Sequence, residues 1–215
     1  MLSWLPMCNA WLAGLGMVSI FLWSLGGVLI FLSLMVFCSL FLLGEVVFRF
    51  STRYVFAFWL FIMSEVAVFG SLFVSVLWGD TGTDGSLSDK LELPLLGCFL
   101  LLTSSLTATV YHHCFSLPYG YYFLVLSLFL GACFIVLQFC EFYDCYCDFS
   151  YCSYFSAAFC TVGLHFLHVV LGLVAITVLL VRGSLSEHFY VSVVVWYWHF
   201  VDYVWLWVYM VVYYV

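Results

Sequence analysis

Charge is what this sequence has least of. Only 7% of its 215 residues are charged, where soluble domains carry about a quarter. Four basic residues against eleven acidic ones leave a formal charge of −7, which excludes the basic footprint of a nucleic-acid-binding protein. The opening Met1-Leu-Ser-Trp-Leu-Pro6 lacks the basic start of a secretory signal and the Arg-rich amphipathic pattern of an organelle presequence. Such a start fits a membrane protein made in the compartment where it inserts. No internal repeat is visible, so nothing speaks for an inverted-repeat transporter.

What fills the chain instead is apolar. Hydrophobic residues make up 67% of it, and the mean hydropathy is +1.24. The sequence therefore predicts an all-α integral membrane protein.

The rare charges punctuate the spans. Residues 1–44 have none, which is enough for two crossings with a turn at Gly26-Gly27 near Ser24. A short charged loop follows, Glu45 through Arg49 to Arg53, and residues 54–79 hold only Glu65. The loop from Asp80 to Glu92 is plainly polar. Residues 93–140 again lack formal charges and are divided by His112-His113, Pro118 and Gly120 into a fourth and a fifth span. After the acidic loop Glu141–Asp148, residues 149–181 form a sixth span ended by Arg182-Gly183, and the C-terminal stretch forms a seventh.

Seven spans put the termini on opposite sides. Arg49, Arg53 and Arg182 then share one side, whereas Lys90 sits alone on the other among seven carboxylates. The positive-inside rule places the N-terminus on the synthesis side and the C-terminus on the far side. The acidic side could also attract a cationic partner.

Four polar features stand out within the spans. Glu65 lies mid-span, where a carboxylate needs a hydrogen-bond partner, a polar cleft or a retained proton. It reads as a proton-linked group, a group facing a bound lipid, or a carboxyl tying its helix to a neighbour. His165 and His168 are spaced i, i+3 and share a face. They suit interhelical hydrogen bonding, with Glu65 a candidate partner, but equally haem or metal ligation. Intramembrane b-type haems need a histidine from each of two helices, so His112 or His113 would have to complete such a site. Gly163 and Gly172 beside the pair predict a close backbone approach. The C-terminal run Trp196-Tyr-Trp-His199-Phe-Val-Asp202-Tyr-Val-Trp-Leu206 carries Asp202 as its one formal charge, with His199 on the same face. Finally, Gln138, Glu141 and Tyr143 place polar groups at the end of the fifth span, where aromatic anchoring is expected.

Ten cysteines are many for this length. Cys145-Tyr-Cys147 invites a disulfide or metal reading, but structural zinc pairs are usually separated by about two to four residues. Most of the others sit singly in apolar runs, where cysteine behaves as a small hydrophobe.

Taken together these stretches resemble subunit III of cytochrome c oxidase, the seven-helix subunit of the haem–copper oxidases. Trp196–Leu206 is similar to the family's closing signature and Phe159–Gly172 to its histidine-rich sixth-helix motif. Tyr54–Phe69, with Ser64-Glu65, resembles its third-helix motif. Leu91–Leu96, Tyr111-His-His113 and Leu137-Gln138 with Glu141-Phe-Tyr143 recur in the family's order. The resemblance covers roughly residues 45–215, with a shorter loop between the second and third helices and Phe166 where the family favours glycine.

The resemblance implies a V of two arms, a two-helix arm over 1–48 and a five-helix bundle over 49–215, with phospholipid in the cleft. It implies lipid contact for Arg49, Arg53, Glu65 and His165, and intramembrane polar packing for Glu65, His165, His168, His199 and Asp202. It implies no catalytic, cofactor or metal site in this chain: haem a, haem a3 and copper belong to subunits I and II. The implied function is a non-redox core subunit of respiratory complex IV in the mitochondrial inner membrane, N-terminus on the matrix side and C-terminus in the intermembrane space. It would pack on the catalytic subunit and support oxygen access and proton uptake as electrons pass from cytochrome c to O2 with proton pumping. Accessory subunits and supercomplex partners are possible further contacts. Subunit III of a quinol oxidase, a stand-alone b-type cytochrome and a proton-coupled transporter centred on Glu65 are the competing classes.

Overall fold

The computed structural model describes residues 5–48, 55–79, 91–115, 117, 119–145, 152–182 and 188–214. Seven α-helices follow one another: α1 (Leu5–Phe21), α2 (Leu25–Phe48), α3 (Val55–Gly79), α4 (Leu93–His113), α5 (Gly120–Asp144), α6 (Ser153–Arg182) and α7 (His188–Val208). A π-helical turn, Tyr209–Tyr214, extends α7. No strand occurs among the described residues. Helices α3 to α6, and α7 with its π turn, are each long and apolar enough to cross a membrane. The all-helical membrane architecture expected from the apolar runs is thus present.

The chain divides into two compact units, Met1–Tyr54 and Val55–Val215. Within the first, α1 packs on α2. Small residues set the contact: a Cβ on Gly16 would lie 2.9 Å from the Phe31 ring, and one on Gly27 would lie 2.6 Å from Ser19 Oγ. The turn between them falls at Leu22-Trp23-Ser24, upstream of the glycine pair expected to form it. Ser24 explains the shift. Its hydroxyl accepts from Gly27 N–H at 3.3 Å and its carbonyl from Val28 N–H at 3.1 Å, so the helix restarts at the serine and takes both glycines into its first turn. Trp23 adopts the left-handed conformation, φ 50°, to make that turn.

In the second unit α4 packs on α5 and α7, and α6 packs on α3, α5 and α7. Pro94 stands in the first turn of α4, where no amide hydrogen is needed. The α4–α5 connection closes tightly at Gly120, where any Cβ would lie 2.5 Å from the Cys114 carbonyl oxygen. The centre of the unit is Trp198, 1% exposed. Its indole fills a slot between Gly131 of α5 and Gly172 of α6, where added Cβ atoms would come within 3.0 and 2.7 Å of it. Its Nε1–H donates to Ser104 Oγ on α4 at 3.1 Å. One side chain therefore joins four helices.

Two expectations change here. Gly172 admits an indole and not a neighbouring backbone, while a Cβ on Gly163 would meet nothing within 4 Å. The polar end of α5 is also less exposed than an interfacial position implies. Gln138 and Glu141 are 0% and 2% exposed, and Gln138 Nε2 donates to Glu141 Oε2 at 2.7 Å. Only Tyr143 of that group, 90% exposed, stands out as an interfacial anchor would.

Candidate functional site

The mid-span carboxyl of α3 meets a histidine of α6. Glu65 Oε2 lies 2.9 Å from His168 Nε2. The other ring nitrogen, Nδ1, lies 2.8 Å from the Leu164 carbonyl oxygen one turn back. A carbonyl only accepts, so Nδ1 carries the hydrogen. The Glu65–His168 bond then contains a single proton, either on the carboxyl or on Nε2. Both arrangements are neutral overall, which is how an acid can sit inside an apolar span. Losing that proton would leave a net negative charge there.

Surroundings hold the pair in place. Tyr197 of α7 donates its hydroxyl to the His168 carbonyl at 3.3 Å, and the Phe69 ring stands edge-on to the imidazole at 5.3 Å. The side chains of His168 and Glu65 are 8% and 20% exposed. Glu65 is thus the member that reaches the outer face of the bundle.

His165, on the same face of α6, goes elsewhere. It is 0% exposed, its Nε2 lies 3.1 Å from the Val201 carbonyl oxygen, and its ring lies 4.9 Å from Trp205 and 5.8 Å from Phe134. The lipid contact expected of His165 has no surface through which to occur in this unit, because α5 and α7 enclose the ring. Phe166, between the two histidines, turns away and meets Phe139 of α5 edge-on at 5.2 Å.

The α7 residues face α4. His199 Nε2 lies 3.0 Å from Thr109 Oγ1, and the neighbouring Ser105 hydroxyl donates to the Leu102 carbonyl of its own helix at 3.1 Å. Asp202 is 2% exposed, and its Oδ1 has no partner. His112 Nε2 meets Ser192 Oγ at 2.9 Å. Glu65 and His168 are therefore brought together, whereas His199 bonds α4 separately and Asp202 lies buried on α7 one turn further on. Arg49, Arg53 and Cys147 lie outside the described residues.

Neither α6 histidine suits an axial haem position as the chain is folded. His168 uses both nitrogens, and His165 is sealed between Phe134 and Trp205 with Nε2 on a backbone carbonyl. Among the described residues no three His, Cys, Asp or Glu side chains are grouped to hold a metal.

Several polar partners carry no distinct mark in the sequence: Ser104, Thr109 and Ser192. Two of them share one compositional signal. Residues 103–109 carry five hydroxyls in seven positions of an otherwise apolar span, more than helix packing alone requires.

Such an arrangement defines a polytopic helical membrane protein whose intramembrane polar groups tie helices together. The family model described as "Cytochrome c oxidase subunit III" matches residues 20–215, and the chain belongs to that family. Similar relatives include the "Cytochrome c oxidase subunit 3" of Struthio camelus, 34% identical over 164 residues, covering 73% of this chain and 61% of the relative. The protein of the same name from Oryctolagus cuniculus is 35% identical over 182 residues, covering 79% and 67%. That of Latimeria chalumnae is 36% identical over 166 residues, covering 73% and 61%. The chain thus spans about three fifths to two thirds of the length of these relatives.

Proposed function

We propose that this chain is a non-redox core subunit of a cytochrome c oxidase in the mitochondrial inner membrane. It packs against subunit I, beside subunit II, and those partners carry haem a, haem a3 and copper. Its own contribution is structural: a helical surface for the catalytic subunit, a seat for phospholipid, and support for oxygen access and proton uptake during electron transfer from cytochrome c to O2. The seven helices all cross, with the N-terminus on the matrix side and the C-terminus on the intermembrane-space side, and α1–α2 and α3–α7 form the two arms.

The observation that carries this reading is the Glu65–His168 bond between α3 and α6, made by the two motifs that most resemble the family. A neutral, self-satisfied pair is what a packing role needs. A carboxyl that reaches the outer face is what contact with a lipid headgroup or chain needs, and Arg49 and Arg53 supply the cations for a phosphate at headgroup depth. His165 contributes by fixing α6 to α7.

Isolation of the tagged chain from gently solubilised membranes tests the proposal. The expected companions are a haem-bearing subunit and one with a dinuclear copper site. Recovery of the chain alone, or with a haem-bearing subunit and a partner lacking that copper, would overturn it; the second outcome would point to a quinol oxidase.

A further inference from the structure

Five buried side-chain atoms among the described residues lack a hydrogen-bond partner, and they gather in one zone. They are Asp202 Oδ1, Trp205 Nε1, the Tyr213 hydroxyl, Gln138 Oε1 and His165 Nδ1. Trp205 is the hub. Its fully buried ring lies 4.9 Å from that of His165 and 6.3 Å from that of Tyr213. It is also 4.9 Å from Phe134, one turn of α5 before Gln138. Asp202 lies one turn of α7 before Trp205, so the two share a face.

Hydrogen positions decide what ligand suits these atoms. Trp205 Nε1–H only donates. Gln138 Nε2 is spent on Glu141 at 2.7 Å, which leaves Oε1 as an acceptor. His165 Nε2 faces the Val201 carbonyl oxygen at 3.1 Å. A carbonyl only accepts, so Nε2 carries the hydrogen and Nδ1 is a bare acceptor. Asp202 Oδ1 accepts, and the Tyr213 hydroxyl can do either. A cation would suit the acceptors but be repelled by the Trp205 N–H, and an apolar guest would serve none of them. Water both donates and accepts. Left dry, five such groups would together cost about as much as a domain's whole net stability.

We propose that the zone around Trp205 is a built site for ordered water inside the membrane span. One molecule bridges Trp205 Nε1–H to Asp202 Oδ1, and others serve His165 Nδ1 and the Gln138–Tyr213 end. A buried water makes about three hydrogen bonds, so a few molecules suffice. The bridging water accepts from the indole and donates to the carboxyl across one helical turn, about 5–6 Å between Cβ atoms. A Cβ on Gly97 of α4 would lie 3.4 Å from Trp205 Nε1, which puts this water at the α4–α7 contact. The site stops short of Trp198. That indole is just as buried, but its Nε1–H is bonded to Ser104 and glycines of α5 and α6 close on its ring. Two tryptophans of one helix, two turns apart, are thus wet and dry.

Radiolytic footprinting of the assembled complex tests the site. A brief X-ray pulse turns bound water into hydroxyl radicals, which oxidise the side chains beside it. Trp198 is the internal control, with the same side-chain chemistry and the same burial. Mass spectrometry should find Trp205 oxidised several-fold faster than Trp198. Asp202→Leu removes the acceptor and fills its place with an apolar side chain, and should bring Trp205 down to the Trp198 rate. Asp202→Asn keeps an acceptor and should leave Trp205 fast. Equal rates at Trp205 and Trp198 in the native complex would overturn the proposal, as would a Trp205 that stays fast in Asp202→Leu. The native comparison needs no variant, so it decides even where Asp202→Leu fails to assemble.

Discussion

Glu65 and His168 share one proton across 2.9 Å, and the hydrogen on His168 Nδ1 is already committed to Leu164. The pair therefore acts as a unit. Removing the histidine strands an acid in an apolar span, while removing both leaves two apolar faces. His168→Leu is expected to destabilise the chain more than the double variant His168→Leu/Glu65→Leu. A double-mutant cycle should return a coupling of about 1–2 kcal/mol, the upper range for intramembrane polar pairs. Glu65→Gln should retain native assembly, because the amide can still donate to Nε2, whereas Glu65→Leu should lower it. Denaturation midpoints of the solubilised complex supply the measurement, and equal losses for Gln and Leu would contradict the shared-proton description.

Gly172 and Gly163 flank the histidine pair but differ in what surrounds them. A Cβ at Gly172 would come within 2.7 Å of the Trp198 ring. That ring is held on its far side by Gly131 and at Nε1 by Ser104, so it has nowhere to retreat. Gly172→Ala is expected to cost about 1–3 kcal/mol by overpacking. Gly163→Ala meets open space and should be neutral or slightly stabilising through helix propensity, by up to about 1 kcal/mol. Midpoints of thermal inactivation for the two variants make the comparison.

The contrast between these glycines shows how far the sequence reaches. Apolar runs and charge punctuation are physics of the solvent, and they fixed the helices and most connections without any partner being known. The need of Glu65 for a partner was equally legible, since a mid-span carboxyl cannot stand alone. Its choice of His168 over His165 was not, because the two share a face and only the rotation of α6 against α3 and α7 separates them. The same holds for the glycines: spacing marks both as small, but only the position of Trp198 says which is filled. The first turn lies upstream of Gly26-Gly27 because the Ser24 cap acts through a hydrogen bond that composition does not display, whereas Gly-Gly is the more conspicuous local signal. The hydroxyls of 103–109 are less legible, because serine and threonine in a span ordinarily bond their own helix. Here several also bond across.

Arg49 and Arg53 are the only cations of their loop, and a phosphate at headgroup depth would gain a charge-assisted hydrogen bond from each. Arg49→Ala/Arg53→Ala is expected to lower the anionic phospholipid that copurifies with the complex, with haem content unchanged. Lipid mass spectrometry on the washed complex checks this. An unchanged phospholipid complement would remove the two arginines as its seat.

Tyr154 ties the start of α6 to the end of the chain. Its hydroxyl donates to the Val212 carbonyl at 2.9 Å, inside the π turn that extends α7. A π turn shifts the backbone register by one residue, which leaves helix carbonyls in need of other donors. Tyr154 meets that need from a different helix while its ring stays buried, at 7% exposure. Tyr154→Phe keeps the ring and removes the donor, so it should cost about 1 kcal/mol without disturbing the packing of α6. The loss should be local. Amide hydrogen exchange should rise across residues 209–214 and remain at native levels in α4 and α5. Unaltered exchange in the terminal turn would mean that α7 packing alone holds the π geometry. Exchange rising throughout the five-helix unit would mean that Tyr154 supports the bundle as a whole and not its terminus.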